Sequence, residues 1–182
     1  METEQQLLNA IRNGDRSALR RLYDRYSDYA MAVGLRYIPE REEVCDVIQD
    51  SFVKILTSIH RFDYRGEGSL KSWVSRIVAN KAVDYLRDHQ RFSYVNAVPN
   101  DLVDDEEEPG FEEIPPDILT AMIGRLPDNY RMVLNLFVFE QCSHKEIAQQ
   151  LSIKESTSAS LFFRAKQMLS KMVKEYVKRQ EI

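Results

Sequence analysis

Arg76, Asn80, Asp84 and Arg87 advance by four, four and three residues, a spacing that sets all four on one face of a helix. The set mixes two guanidinium groups with an amide and a carboxylate. Trp73, the chain's single tryptophan, precedes them, with Phe62 and Tyr64 just upstream. Such a combination suits unstacked bases: rings stack on them, an amide pairs with their edges, and guanidinium groups hold phosphates. The plainer alternative is that Trp73 and Tyr85 belong to a core and the polar line merely faces water. These residues alone leave both readings open.

A second group lies at residues 143–167, SHKEIAQQLSIKESTSASLFFRAKQ. Ser143 followed three residues on by Glu146 reads as a capping box, and Leu151–Ser152–Ile153 as a tight turn. A short helix, a turn and a second helix opening on small polar residues is the helix-turn-helix pattern. Ala148 is small enough for close helix packing, and Ile153 is apolar enough to plug the turn. The second helix would enter a major groove by its N-terminal end, where Lys154, Ser156, Thr157, Ser158 and Ser160 reach bases or phosphates. Arg164 and Lys166 would hold the backbone further along. The competing reading is a helical hairpin with no nucleic acid.

The elements that must position these groups read as helices throughout, and no strand signal of any length appears. Leu7, Leu8 and Ile11 give a short helix over residues 2–12, stopped by Asn13–Gly14–Asp15. The next runs over residues 16–37 and ends before Pro39. Its early arginines, Arg16, Arg20, Arg21 and Arg25, could touch phosphate, but a solvated helix face is the simpler account. Residues 41–59 carry a full apolar stripe (Val44, Val47, Ile48, Phe52, Ile55, Leu56, Ile59), with Asp46, Gln49, Asp50 and Lys54 together on the outer side. A loop containing Gly66 and Gly68 leads into a helix from Ser69 to about Arg91, whose apolar face includes Val74, Ile77, Val78, Ala82, Tyr85 and Leu86. These helices, with short connections, predict a compact bundle over residues 1–91.

Residues 92–116 break the periodicity with prolines and acids and read as a flexible acidic linker. Stretched out it would reach roughly 80–90 Å, and as a coil about 28 Å. A second helical domain follows over residues 117–182, with Asp117 and Asp128 expected as helix caps. The segment 129–139, rich in Val133, Leu134, Leu136, Phe137, Val138 and Phe139, is expected to be buried on most sides. The fold class is therefore all-α, with two small helical domains and an acidic tether.

The formal net charge is −4 over 182 residues, weakly against nucleic-acid binding if read as a total. Its distribution reverses that reading. Residues 99–117 hold nine acids and no base, while residues 118–182 hold ten bases and six acids. Both flanks of the linker are neutral to basic. The two cysteines, Cys45 and Cys142, read as reduced thiols, and no apolar run is long enough for a bilayer. A cytoplasmic protein is expected. His60, His89 and His144 are scattered without metal spacing, and no phosphate-binding loop or nucleophile motif is present. No enzyme, metal, cofactor or small-molecule substrate is expected.

The two motifs in this order, joined by an acidic linker, resemble the extracytoplasmic-function group of bacterial sigma-70 RNA polymerase sigma factors. The resemblance is carried by DVIQDSFVKIL (46–56), GSLKSWVSRIVANKAVDYLR (68–87), LPDNYRMVLNL (126–136) and HKEIAQQLSIKESTSASLFFRAKQML (144–169). It implies a division of labour. Asp46, Gln49, Asp50 and Lys54 would grip the clamp helices of the polymerase β′ subunit. Tyr64, Trp73, Arg76, Asn80 and Arg87 would melt the −10 promoter element, with a base extruded into a pocket formed with the Asp63–Ser69 loop. Residues 154–166 would bind the −35 element as duplex, with the second domain resting on the β flap. An anti-sigma factor, commonly membrane-anchored in this group, is implied as an inhibitor. Ala159 and Leu161 stand where relatives often carry Lys or Arg, and Phe162 and Phe163 add an apolar patch, so weak duplex binding by the free protein is expected. A stand-alone helix-turn-helix regulator with a helical sensor domain is the alternative.

Overall fold

The computed structural model describes residues 2–89 and 114–180, and all regular structure among them is helical. The chain divides into two compact units, residues 1–85 and 86–182. Helices α1 (Glu4–Arg12), α2 (Arg16–Tyr37) and α3 (Arg41–Ser58) come first, followed by a 3-10 turn (Ile59–Arg61) and α4 (Ser69–Asp88). Helices α5 (Pro116–Gly124), α6 (Asp128–Val138), α7 (His144–Leu151) and α8 (Glu155–Gln180) follow. The body of the acidic tether, residues 92–113, lies outside the described residues, as do Gln90 and Arg91. Its end is described: Ile114 is buried in the core of the second unit, and Pro116 already begins α5.

The periodicities translate into burial. Leu7, Leu8, Leu22, Val44, Ile55, Leu70, Val74, Val78, Ala82 and Leu86 are at most 1% exposed. Ile38, the residue before Pro39, is extended at φ −124° and ψ 102°, the conformation that a following proline favours, and this ends α2. Where α2 crosses α3, Gly34 permits a close approach. A Cβ there would lie 2.5 Å from Val44 Cγ2 and 3.2 Å from Ile48 Cδ1.

In the second unit, Met122, Ile123, Leu126, Tyr130, Leu134, Ala165, Leu169 and Val173 form the core. Arg131, 3% exposed, donates to the carbonyls of Gly124 at 3.0 Å and Leu126 at 2.7 Å and pairs with Asp128. One buried guanidinium thus satisfies carbonyls left open at the end of α5 and holds the turn into α6. Two expectations need correcting here. The residues preceding α5 and α6 are Pro115 and Pro127, so Asp117 and Asp128 sit in the first turns rather than at the caps; each helix begins directly after a proline. Val138 and Phe139, expected inside, are 48% and 43% exposed, because α6 ends at Val138 and its last residues pass the edge of the core.

Candidate nucleic-acid interface

The loop before α4 is fixed by two carboxylates acting in opposite directions. Glu4 opens α1 and is 2% exposed. Its Oε2 accepts the amides of Gly68 at 2.9 Å and Leu70 at 3.0 Å, and its Oε1 accepts the amide of Lys71 at 3.2 Å and the Tyr26 hydroxyl at 2.8 Å. These amides lie at the start of α4, where a helix has no internal acceptors and carries partial positive charge. Glu67, in the loop, returns the contact: both its oxygens accept the Glu4 amide at 3.3 Å. Glu67 also accepts from Arg25 and from the Tyr64 hydroxyl, each at 3.4 Å. Glu4 of α1 thus accepts amides at the start of α4, and Glu67 of the loop accepts the first amide of α1.

Further contacts lock the same corner. The Arg12 guanidinium donates to the Phe62 carbonyl at 2.8 Å. Phe62 is buried and the half-buried Trp73 ring lies against it, centroids 5.0 Å apart. Lys71 sits 4.6 Å above the Tyr29 ring. Gly66 and Gly68 take φ of 115° and 90°, left-handed values that glycine reaches without a Cβ clash. Burial, and then the negative charge of Glu67, raise the Tyr64 phenol above its ordinary value.

On α4, Arg76, Asn80, Asp84 and Arg87 are all exposed, while Val74, Val78, Ala82 and Leu86 are inside. The polar line thus forms one outward ridge, as its spacing predicted. Trp73 and Tyr85 fall between the two readings, half-buried rather than core or fully exposed.

Asp46, Gln49, Asp50 and Lys54 are likewise all exposed on α3. Sequence reasoning missed a fifth member of that stripe: Val53 is 63% exposed. Its i+3 spacing from Asp50 was the available signal. Asp50 approaches Lys81 of α4 at 4.0 Å, a loose exposed pair of small energetic weight.

Helix α7 carries the predicted capping box, with the Ser143 hydroxyl accepting the Glu146 amide at 3.2 Å and the Glu146 carboxylate accepting the Ser143 amide at 2.8 Å. Ser152 is left-handed at φ 56°, and the Ile153 amide reaches back to the Ala148 carbonyl at 3.0 Å. Lys154, Ser156 and Ser160 are exposed at the start of α8, and Thr157, Arg164 and Lys166 are half-buried. Ser158 departs from the sequence expectation. It is fully buried and hydrogen-bonded to His144 Nδ1 at 3.0 Å, because its place on α8 faces α7. His144 in turn stacks on Phe137, centroids 4.6 Å apart, and Phe137 meets Phe162 at 4.4 Å. Phe162 is thereby engaged internally, leaving Phe163, 50% exposed, as the outward ring.

Among the described residues, no three His, Cys, Asp or Glu side chains come together as a metal site, and no helix is long and apolar enough to cross a membrane.

Comparison with known proteins matches residues 22–92 to the Sigma-70 region 2 family and residues 117–169 to the Sigma-70, region 4 family. The chain is 29% identical over 188 residues to the ECF RNA polymerase sigma-E factor of Haemophilus influenzae, covering 94% of this chain and 95% of that one. It is 26% identical over 153 residues to the ECF RNA polymerase sigma factor SigM of Bacillus subtilis, covering 81% and 90%. Among solved structures it aligns with CnrH in complex with the cytosolic domain of CnrY, at 23% identity and a TM-score of 0.46, over 93% of this chain and 96% of that one.

Proposed function

The chain belongs to the extracytoplasmic-function group of the sigma-70 family, and from that premise we propose how its residues divide the work of a promoter-recognising sigma factor. The outer face of α3, with Asp46, Gln49, Asp50, Lys54 and the exposed Val53, docks on core RNA polymerase at the β′ clamp helices. The ridge of α4, with Trp73 and Tyr64 beside it, opens the −10 element. The α7–α8 motif holds the −35 element through Lys154, Ser156, Thr157, Ser160, Arg164 and Lys166, and the second unit rests on the β flap. Ser158 takes a different part, setting the angle between α7 and α8 from inside.

The observation that carries this reading is the composition of the α4 face. Two guanidinium groups, an amide and one acid, Asp84, stand exposed in one line, downstream of a half-buried tryptophan, inside the segment matched to region 2. Melting a duplex needs groups that hold unstacked bases and the strand that bears them. The match to region 2 also speaks against a regulator with a sensor domain, since it accounts for the first unit in the sigma arrangement.

Such a protein works in the cytoplasm and is restrained by an anti-sigma factor. A pull-down from native cells that recovers polymerase and never an inhibitor would remove that partner. The central test is transcription with purified core polymerase on promoters selected from a random library. Initiation should require both this chain and core enzyme, with little duplex binding by the chain alone. Specific duplex binding without polymerase, and no initiation with it, would overturn the reading.

A further inference from the structure

Resting on the −10 reading above, we propose that Glu4 is a positioning residue for base capture, acting through the start of α4, with Glu67 as its counterpart. Three of the four groups that Glu4 accepts from, the amides of Gly68, Leu70 and Lys71, belong to the loop and first turn that precede Trp73. The fourth, Tyr26, secures the carboxylate from α2. Glu67 lies between the two left-handed glycines and ties the loop to the Glu4 amide, to Arg25 and to the Tyr64 hydroxyl.

A segment with glycines on both sides of one residue has many conformations of similar energy. Two carboxylates anchor it at adjacent points and select one of them. The ordering cost of the pocket is then met during folding rather than when a base arrives, which is the physical meaning of preorganisation. The partners of both acids lie on α1, α2, the loop and α4, while the proposed polymerase face lies on the outer side of α3. The device should therefore act on base capture and leave docking on polymerase alone.

The test uses the full chain bound to core polymerase. Affinity is measured for a single-stranded −10 oligonucleotide from a promoter the holoenzyme uses, and for the same strand made abasic at each position in turn. The wild-type chain should prefer the intact strand at the captured position. Glu4→Gln keeps an acceptor for some of the amides, Glu4→Ala keeps none, and Glu67→Gln weakens the return contact. The preference should fall in the order wild type, Glu4→Gln, Glu4→Ala, by about tenfold between the first and the last, as expected for losing hydrogen bonds to a charged group. Affinity for core and for the abasic strand should stay unchanged.

If Glu4→Ala fails to fold, Glu4→Gln and Glu67→Gln carry the test. An undiminished preference in both, or a parallel loss of core binding, overturns the proposal. Should Trp73→Ala lose the preference while these two keep it, base capture stands and the role of Glu4 falls. A wild-type chain without any preference removes the −10 reading and this inference with it.

Discussion

The Glu4 carboxylate accepts the Leu70 amide at 3.0 Å across 66 residues of chain. The same group accepts the Tyr26 hydroxyl at 2.8 Å, so α1, α2 and α4 meet at one acid. Burial, then the bond to Glu4, push the Tyr26 phenol above its ordinary value of 10.0. A raised folded-state pKa gives stability that is complete below the unfolded value and is lost as pH climbs through the folded one. Phenolate absorbance should thus show Tyr26 among the last tyrosines to ionise, close to alkaline unfolding. Tyr26→Phe should remove that late step and cost about 1–2 kcal/mol in denaturant unfolding.

Gly34→Ala should destabilise the first unit. The new methyl would stand 2.5 Å from Val44 Cγ2, and Val44 is a fully buried, β-branched side chain. Overpacking of this kind costs about 1–3 kcal/mol, and equilibrium unfolding in urea would read it. A variant as stable as the parent would mean that α2 and α3 can separate without loss.

Two serines of α8 should separate folding from recognition. Ser158→Ala leaves His144 Nδ1 without its partner and should cost about 1–3 kcal/mol of stability. Ser160 is exposed and its hydroxyl donates to the Ser156 carbonyl of its own helix at 2.9 Å, so Ser160→Ala should leave stability within about 0.5 kcal/mol of the parent. Thermal melts of both variants, beside holoenzyme footprints over the −35 region, would check this. Equal melting losses would contradict the geometry.

Faces α3 and α4 should fail differently. Asn80→Ala should slow strand opening, read by permanganate reactivity of unpaired thymines, and leave core affinity intact. Arg87→Ala should also weaken binding and lower the slope of log affinity against log salt by about 0.7–0.9 if it holds one phosphate. Val53→Asp and Asp50→Lys should instead reduce core affinity, measured by competition with a labelled sigma factor. Loss of core binding in Asn80→Ala would show that the α4 ridge has been misassigned.

How legible all this was depended on whether the partners were near in sequence. Helix α2 has the predicted bounds because its periodicity and the Pro39 stop are local. The capping box of α7 lies within four residues and was readable for the same reason. Ser158 was misread because helical spacing says which residues share a face but not which face a neighbouring helix covers. Val138 and Phe139 looked like core by hydrophobicity, and only the position of the helix end decides that they are not. Glu4 carried no signal at all. Its partners stand 22 to 67 residues away, and an acid in the first turn of a helix looks like ordinary complement to the dipole.

The crossed caps of α1 and the loop also set an order of events during synthesis. Glu4 leaves the ribosome long before Gly68, Leu70 and Lys71 exist, so in the growing chain its carboxylate can meet Tyr26 of α2 but not yet the three amides at the start of α4. Closing so long a span is entropically slow, which makes the start of α4 among the last parts of its unit to settle. A newborn chain would therefore form the proposed polymerase face of α3 before the proposed base-capture loop had taken its shape.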